Sequence, residues 1–451
     1  MNDKVTASAT KKRALALQIL LFSLPLMGTS LLQVLFNMAD VAIVGRYAGS
    51  MSMAAVGSTS IAVTLFTGIL IGFGGGVNAL VAKAFGAKDR ESLRKTIHSA
   101  AIICLGVGVL MLLFGLFCSR PLLELLNTKS ELIDKATLYM TIYFLGMPAL
   151  AIFNFGNAVF SAIGNTKKPL IYMSVAGVLN VVLNLFFVIV CNLDVAGVAI
   201  ASIISQYLSA LLIIIALFRT KEDYGMCVRE LRLDRFCAKS ILGLGAPAGL
   251  QNAMFYVANL FVQAGVNSFD TVTVAGNVAA ANADSIVFEA MGVFCVTCSS
   301  FVGRAYGAEN KKEIKRSYFI SLAYACGIGA ALGLAVISMG PTFLSLFTDD
   351  GAVVEAGMTR LVIMGLSYGI SPLMDVSVAA SRGVGKSVMP TLFVILGSCV
   401  FRIAWIYTVF AFFGTVASLY LLYAFSWGIT AVFEMIYFFY CYRKLLVNKT
   451  A

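Results

Sequence analysis

One carboxylic acid in the first long apolar segment of the chain lies among polar residues at helical spacing. Asp40 follows Asn37 by three residues, which places both side chains on one face of a helix. Three later apolar segments of the same half each carry a polar pair spaced four residues apart. These pairs are Tyr139 and Tyr143, Asn180 and Asn184, and Ser202 and Gln206. Interhelical hydrogen bonding in lipid, at about 0.6 kcal/mol per pair, explains an isolated Asn. It explains less easily why the only acid inside the apolar segments of the first half coincides with this set.

Ionisable residues inside apolar segments are candidates for function, because each costs roughly 2.5–3.5 kcal/mol to insert into a membrane. The candidates are Asp40, Asp284, Glu289, Asp375, Arg402 and Glu434. Burial disfavours the ionised form of a carboxyl group, so Asp40 is suited to bind and release a proton near neutral pH. Alternatively, its carboxylate forms a sodium site with the amide oxygens of Asn180 and Asn184 and the Ser202 hydroxyl. Residue spacing leaves both mechanisms open.

Several kinds of chemistry are excluded or disfavoured by residue type. His98 is the only histidine, which excludes a catalytic triad or a histidine-based site. Cys295 and Cys298 form a C-x-x-C inside an apolar helix without a second pair, as expected of small buried side chains. The sequence has no G-x-x-x-x-G-K-[ST] motif, and Gly72–Gly76 follows no strand, so it indicates close helix packing. We therefore expect no enzyme activity and no cofactor, and energy from an ion gradient.

These residues lie in a chain whose composition requires a lipid environment. Of its 451 residues, 60% are hydrophobic and only 12% are charged, and the mean hydropathy is +0.91. A spanning helix needs about 20 predominantly apolar residues. The sequence predicts an all-α polytopic membrane protein with twelve spans: 16–42, 52–80, 96–118, 136–159, 169–191, 195–218, 239–264, 273–301, 317–339, 358–380, 390–413 and 416–441.

The positive charge of the chain predicts its orientation in the membrane. With alternate loops assigned to the cytoplasm, 27 of the 33 Lys and Arg residues lie on that side. Arg402 lies inside a span, and the other side holds Arg46, Arg120, Lys129, Lys135 and Arg360. This asymmetry predicts a multi-pass protein of a prokaryotic inner (cytoplasmic) membrane with both termini in the cytoplasm. The net charge of +11 thus reflects topology in the lipid bilayer, and we expect no nucleic-acid partner.

The two halves of the chain repeat each other. The loop that begins at Val81 is similar in sequence to the loop that begins at Val302. The Gly164–Pro169 loop is likewise similar to Gly385–Pro390, and both pairs are 221 residues apart. Six spans per half is an even number, so the repeats are parallel, and substrates of such proteins bind near the midplane between the halves. We predict a six-helix N-terminal lobe at 1–218, a cytoplasmic linker at 219–238 and a six-helix C-terminal lobe at 239–451.

The motifs resemble those of the multidrug and toxic compound extrusion (MATE) transporters, with the first-half pattern most similar to the DinF-like branch. The resemblance covers essentially the whole chain. It is carried by Pro25–Gly49 with Asn37-Met-Ala-Asp40, Ala84-Phe-Gly-Ala-Lys88 and its second-half echo, Gly164–Pro169, Val195–Ser202, and Ser381–Gly385 through Pro390. The resemblance implies a V-shaped, twelve-helix antiporter, expected to be a monomer. It would export amphipathic, mainly cationic small molecules in exchange for protons or sodium.

The ion-coupling site of the family maps onto Asp40, Asn180, Asn184 and Ser202, with Tyr139 nearby. The same four residues would hold Na⁺ if the protein is sodium-coupled. Some members have an acid where this chain has Asn184, and its loss leaves Asp40 as the sole acid of the site.

A more weakly supported set of residues is expected to line a substrate chamber. The set comprises Phe36, Asn37, Phe153, Asn154, Gln206, Met254 and Asp375. Arg402 is expected to be the counter-ion of a second-half carboxylate, such as Asp375. The alternative function is a flippase for a lipid-linked saccharide or another lipid. Its anionic pyrophosphate calls for several cations in the cavity, whereas only Arg402 lies deep in a span.

Overall fold

The computed structural model describes residues 2–126, 128–345 and 347–447, and those residues form helices and short connections without a strand. The helices are α1 (Asn2–Ile43), α2 (Ser50–Gly86), α3 (Arg90–Leu125), α4 (Ser130–Phe144), α5 (Met147–Ile163), α6 (Lys167–Leu185), α7 (Asp194–Arg219), α8 (Arg235–Val266), α9 (Thr271–Gly307), α10 (Lys311–Leu344), α11 (Gly351–Ser367), α12 (Ser371–Gly383), α13 (Val388–Val394), α14 (Phe401–Trp405), α15 (Ala411–Phe413) and α16 (Val416–Val447). Four π-helical turns interrupt or extend them at Val44–Ala48, Phe186–Val190, Ile395–Val400 and Ile406–Phe410.

Twelve helical segments account for the predicted spans. In the described part of the chain, nine are long and apolar enough to cross a membrane, and two bent pairs bring the number to eleven. The twelfth is α8, whose 32 residues include the polar pair Gln251 and Asn252. The predicted fold class, an all-α polytopic membrane protein, is confirmed.

Two of the predicted spans are bent. The sequence predicts single spans at 136–159 and 358–380, but α4 meets α5 at 47° and α11 meets α12 at 48°. Pro148 and Pro372 lie in the first turns of α5 and α12. Because proline has no N–H to donate, it is tolerated in a first turn but prevents the preceding helix from running on.

The repeated loops adopt the same local structure. Asp89 accepts a hydrogen bond from the Ser92 amide at the start of α3, and Asn310 accepts one from the Glu313 amide at the start of α10. Lys88 and Glu309, which precede these caps, have φ values of 56° and 55°. The sequence predicts the repeat from the composition of the loops. In the structure, the helix bends and the caps at the helix starts also occur in both halves.

By their contacts, the described residues fall into two compact units. The N-terminal unit comprises Gly28–Ala253, and the C-terminal unit comprises the residues up to Met27 together with those from Met254 onward. The division falls inside α1 and α8, whereas the sequence-based lobes end at 218, near the end of α7, and begin again at 239, near the start of α8. The start of α1 packs in the C-terminal unit, where Ser23 and Thr297 share a hydrogen bond of 2.9 Å between their hydroxyl oxygens. The lobe boundaries at 218 and 239 remain a prediction.

Glycines bring α2 and α8 together within the N-terminal unit. A Cβ on Gly72 would meet the backbone of Gly249, and one on Gly76 would lie 2.6 Å from the Gly245 nitrogen. Gly75, on another face of α2, has open space around it. The prediction of close helix packing for this glycine-rich segment is confirmed.

The connection between α7 and α8 is tied to the start of α3. The Cys227 amide donates a 3.0 Å hydrogen bond to His98 Nε2, and Arg94 forms a 3.1 Å ion pair with Glu230. Asp234 caps α8, and the Cys237 amide that donates to it lowers the pKa of that carboxyl group. The single histidine of the chain therefore has a structural partner.

Candidate functional site: a buried carboxylate ring

The Asp40 carboxylate is buried in the N-terminal unit and bonded to side chains of two other helices. Its exposed fraction is 8%. Asn184 Nδ2 in α6 donates to Asp40 Oδ1 at 2.5 Å, and the Ser202 hydroxyl in α7 donates to Asp40 Oδ2 at 3.1 Å. Both oxygens of the acid therefore have donors, as a buried carboxylate requires.

A fourth side chain closes these contacts into a ring. Asn180 Oδ1 accepts a hydrogen bond of 3.2 Å from Asn184 Nδ2, and Asn180 Nδ2 lies 3.5 Å from the Ser202 hydroxyl oxygen. All four side chains are at least nine-tenths buried. We call Asp40, Asn180, Asn184 and Ser202 the carboxylate ring. The structure brings together the four residues that the sequence predicts as an ion-coupling site.

Two helices of the ring change their winding directly after the residues they contribute. The π-helical turn Val44–Ala48 begins four residues after Asp40, and the turn Phe186–Val190 begins two residues after Asn184. Such turns are rare and occur frequently at functional sites. The spacing of Asn180 and Asn184 places both amides on one face of α6, because residues four apart are neighbours on a helix.

The atoms of the ring suit a small cation or a proton. Asn184 Oδ1 is buried and has no hydrogen-bond partner within the described chain, so this oxygen is available to accept a hydrogen bond or to bind a cation. Asp40 is the only acid of the ring. No group of three or more His, Cys, Asp or Glu side chains capable of holding a metal occurs among the described residues. The ring thus offers neutral oxygen atoms around one carboxylate.

Three other predicted residues lie in the same unit without contributing a hydrogen bond to the ring within the described ranges. Tyr139 is buried and stacks on Tyr143, with ring centroids 5.9 Å apart. The side-chain oxygen of Gln206 packs against Gly146, and Asn37 is exposed. Tyr139 therefore belongs to the surroundings of the ring.

The remaining residues predicted to line a chamber lie in different environments. The ring of Phe36 packs against Gly177 of α6, and Phe153 lies in a core cluster of α2, α3, α5 and α7. Asn154 donates to the Leu150 carbonyl at 2.9 Å. In the C-terminal unit, Met254 is half-buried, and Asp375 accepts a 3.0 Å hydrogen bond from Ser371. Their role in substrate binding remains a prediction.

The C-terminal unit contains a buried ionic network that the sequence analysis missed. Arg360 of α11 is 8% exposed and pairs with Asp284 of α9, with an N–O distance of 2.5 Å. Tyr368 donates to the other oxygen of Asp284, and Asn277 accepts from Arg360 at 2.6 Å and from Tyr420 at 2.9 Å. The structure places Arg360 within α11, where Asp284 neutralises its charge, and its side of the membrane remains a prediction.

The predicted counter-ion of Arg402, Asp375, acts on it from beyond ion-pair distance. Among the described residues, no carboxylate oxygen lies within 4.0 Å of its guanidinium, so it forms no ion pair with Asp375 there. Arg402 instead donates to Asn259 Oδ1 at 3.1 Å and to the Ser426 hydroxyl at 3.2 Å. An acid in a span, such as Asp284, indicates that a cation is buried with it. Residue spacing alone does not show which cation that is.

Comparison with known proteins agrees with the repeat and with the fold. The MatE family model matches residues 25–186 and again residues 247–408. The chain is 28% identical over 297 residues to the probable multidrug resistance protein YpnP of Bacillus subtilis, with 66% of each chain covered. It is 24% identical over 393 residues to the probable multidrug resistance protein NorM of Thermotoga maritima, with 83% of this chain and 81% of that protein covered. A solved MOP superfamily transporter from Pyrococcus furiosus has the same fold, with a TM-score of 0.89, 21% identity and 96% of each chain covered.

Proposed function

The chain belongs to the MATE (MatE) family of membrane transporters, and from this premise we propose that it is a cation-coupled antiporter. It exports amphipathic, mainly cationic compounds across a prokaryotic inner membrane in exchange for H⁺ or Na⁺. The multidrug resistance names of its relatives support the substrate class. It works as a monomer in the bilayer with both termini in the cytoplasm, which the excess of Lys and Arg in alternate loops supports.

The observation that carries this proposal is the carboxylate ring. Inserting an acid into a membrane span is costly. Acids found there commonly relay protons or bind ions. Asp40 is held by Asn184 and Ser202 from two different helices, so loading or emptying the acid changes the contacts between those helices. A cation that binds one arrangement better than another shifts the population between them, which is what coupling requires.

The details of the ring favour a proton over sodium as the coupling ion. Asp40 is the only acid of the ring, and amide and hydroxyl donors already contact both of its oxygens. A proton needs one acceptor and little space, and the protonated acid would donate to an amide oxygen such as Asn184 Oδ1. Sodium would need several oxygens of the ring to turn towards it, with only one negative charge to hold it.

Export of a lipid-linked saccharide, the alternative function, receives less support. Recognition of a pyrophosphate calls for several cations whose charge is not already neutralised. The structure adds Arg360 to the buried cations, but Asp284 neutralises it. Arg402 remains, and one guanidinium is a small site for a doubly charged headgroup.

Transport by purified protein in liposomes tests the proposal. A fluorescent cationic dye is loaded into the vesicles, and its release is followed under an imposed proton gradient, an imposed sodium gradient, or neither. Proton-coupled antiport gives gradient-dependent release only in the first case, and sodium-coupled antiport only in the second. Release at one rate in all three cases would overturn the proposal of coupled transport.

A further inference from the structure

The polar residues of the first half have counterparts in the second half that also contact one another. The two family-model matches begin and end 222 residues apart. Around α7 and α16 the offset is 221, because Val195 corresponds to Val416. The π-helical turn Ile395–Val400 lies between the Gly385–Pro390 loop, where the offset is 221, and Arg402, where it is 222. A π-helical turn accommodates one extra residue, which accounts for the change. The counterparts are Asn259 for Asn37, Arg402 for Asn180, Tyr423 for Ser202 and Trp427 for Gln206.

These counterparts form a cluster around Arg402. The guanidinium lies 4.6 Å from the ring centroid of Tyr423, 5.9 Å from that of Trp427 and 5.6 Å from that of Phe255. Asn259 accepts a hydrogen bond from Nη1, and the Ser426 hydroxyl accepts one from Nε. Within the described chain, Nη2 makes no such bond. Arg402 is 2% exposed and lies near the middle of the segment Val388–Phe413.

The sign of the charge is reversed between the two halves. Where the first half has Asp40, the second half has Val262, and where the first half has the neutral Asn180, the second half has Arg402. Among the described residues, the acid whose charge acts on Arg402 is Asp375, which lies beyond ion-pair distance and is bonded to Ser371. An arginine does not lose its proton inside a protein. Its charge is therefore only partly compensated.

Neutral partners do not cancel this charge. The effective cost of burying an ion is several kcal/mol, and an opposite charge in good geometry is what offsets it. Contacts with aromatic faces contribute about 0.5–2 kcal/mol each. Arg360, in the same unit, shows the usual solution, with a carboxylate at 2.5 Å. Arg402 has no such partner among the described residues, although it is the more buried of the two, at 2% against 8% exposed.

We propose that the Arg402 cluster binds the anionic group of a transported aromatic compound, with a carboxylate as the preferred group. The carboxylate accepts from the guanidinium at Nη2, and the aromatic body of the ligand packs beside Tyr423, Trp427 and Phe255. The substrates then include aromatic acids and zwitterions as well as cations. The widening of the substrate class rests on the proposed export function. The binding of the anion does not, because it is measurable without any gradient.

The chain provides its own reporter for a binding test. Trp405 and Trp427 are its only tryptophans, so in a Trp405→Phe background all tryptophan fluorescence comes from the cluster. Purified full-length protein is titrated with 2-naphthoate and with the neutral analogue 2-naphthylmethanol. We expect saturable quenching with a Kd at least about tenfold lower for the acid than for the alcohol. Substituting Arg402→Gln is expected to remove that preference.

A second variant tests the charge directly and guards against misfolding of the first. Asn259→Asp puts a carboxylate beside Nη1, which supplies an internal counter-ion. We expect this variant to melt at a higher temperature than the parent and to bind 2-naphthoate at least about tenfold more weakly. Asn267→Asp, the same substitution on an exposed residue just after α8, is the matched control and is expected to change neither property.

Two results would overturn the inference. One is equal affinity of the parent protein for the acid and the alcohol. The other is undiminished naphthoate binding by Asn259→Asp in protein that melts cooperatively. Neither result bears on Asp40, because the measurement involves no gradient. Conversely, a failure of gradient-driven dye release leaves the naphthoate titration unaffected, so the two proposals fail separately.

Discussion

Replacing Asp40 by Asn removes the charge and the ionisable group of the carboxylate ring while changing its shape very little. Asn184 Nδ2 still finds a carbonyl oxygen at position 40, and the new amide nitrogen faces the Ser202 hydroxyl, which can accept from it. The ring therefore stays hydrogen-bonded. What is lost is the ability to bind a proton or to attract a cation.

The contacts of Asp40 determine how much the substitution changes the free energy of unfolding and how much it changes cation coupling. Two hydrogen bonds to an ionised acid contribute about 1.5–3 kcal/mol each, and two neutral ones contribute about 1 kcal/mol each. Removing a buried charge returns part of that difference, so we expect a change in the free energy of unfolding below about 2 kcal/mol. For coupling, an amide binds no proton at neutral pH. For sodium, losing one charge at roughly 4 Å costs about 4 kcal/mol at an effective dielectric constant of 20.

We therefore expect Asp40→Asn to fold and to lose at least about 99% of gradient-driven dye release under either cation. The matched control is Asp194→Asn in α7 of the same unit, whose acid pairs with Lys135 at 2.6 Å outside the ring. The control is expected to retain transport. Both proteins are compared by thermal melting, by size-exclusion profile and by release rate from liposomes. Wild-type release by Asp40→Asn would refute the assignment of the ring as the coupling site.

Three further predictions follow from contacts in the two units. Asn184→Asp adds a second acid to the ring and is expected to bind sodium more tightly, so that an imposed sodium gradient drives dye release at least about tenfold faster than in the parent; release no faster than the parent's would contradict this. Arg360→Met leaves Asp284 without its cation and should cost about 3–5 kcal/mol of unfolding free energy, with a smaller loss when Asp284→Leu is added. If the losses of the two single variants simply add in the double variant in a denaturation series, the pair is not coupled. Gly72→Ala forces α2 from α8 and should cost about 1–3 kcal/mol, whereas Gly75→Ala should leave the melting temperature unchanged or raised.

The features that the sequence predicts correctly depend on short stretches of chain. Twelve spans are recognisable because each needs only a continuous apolar run. The repeat is recognisable because its loops keep their glycines and caps, and the structure shows matching backbone angles at Lys88 and Glu309. The amide face of α6 follows from the spacing of Asn180 and Asn184. The meeting of that face with Asp40 is one of the mechanisms that the residue types leave open, and the resemblance to a family supports it.

The features that the sequence misses depend on partners far apart in the chain. Arg360 lies at the edge of an apolar run, so its position does not reveal a buried ion pair, but Asp284, 76 residues earlier, neutralises it inside the unit. The 47° and 48° bends leave hydropathy unchanged, because a proline in a first turn does not interrupt an apolar run. Local patterns thus predict which residues are costly to bury. They do not predict which of those residues neutralise each other.

The same limit explains why the sequence alone shows no counterpart of the carboxylate ring in the second half. A search for acids and amides finds the carboxylate ring and nothing like it 221 residues later. The counterpart of Asn180 is an arginine, and the counterparts of Ser202 and Gln206 are aromatic. Duplication conserved the place in the helices but not the sign of the charge. A chain with a lone acid in the polar cluster of one half and a lone guanidinium in the corresponding cluster of the other can bind opposite charges without any change of fold, because the same helices position both clusters and only their side chains differ.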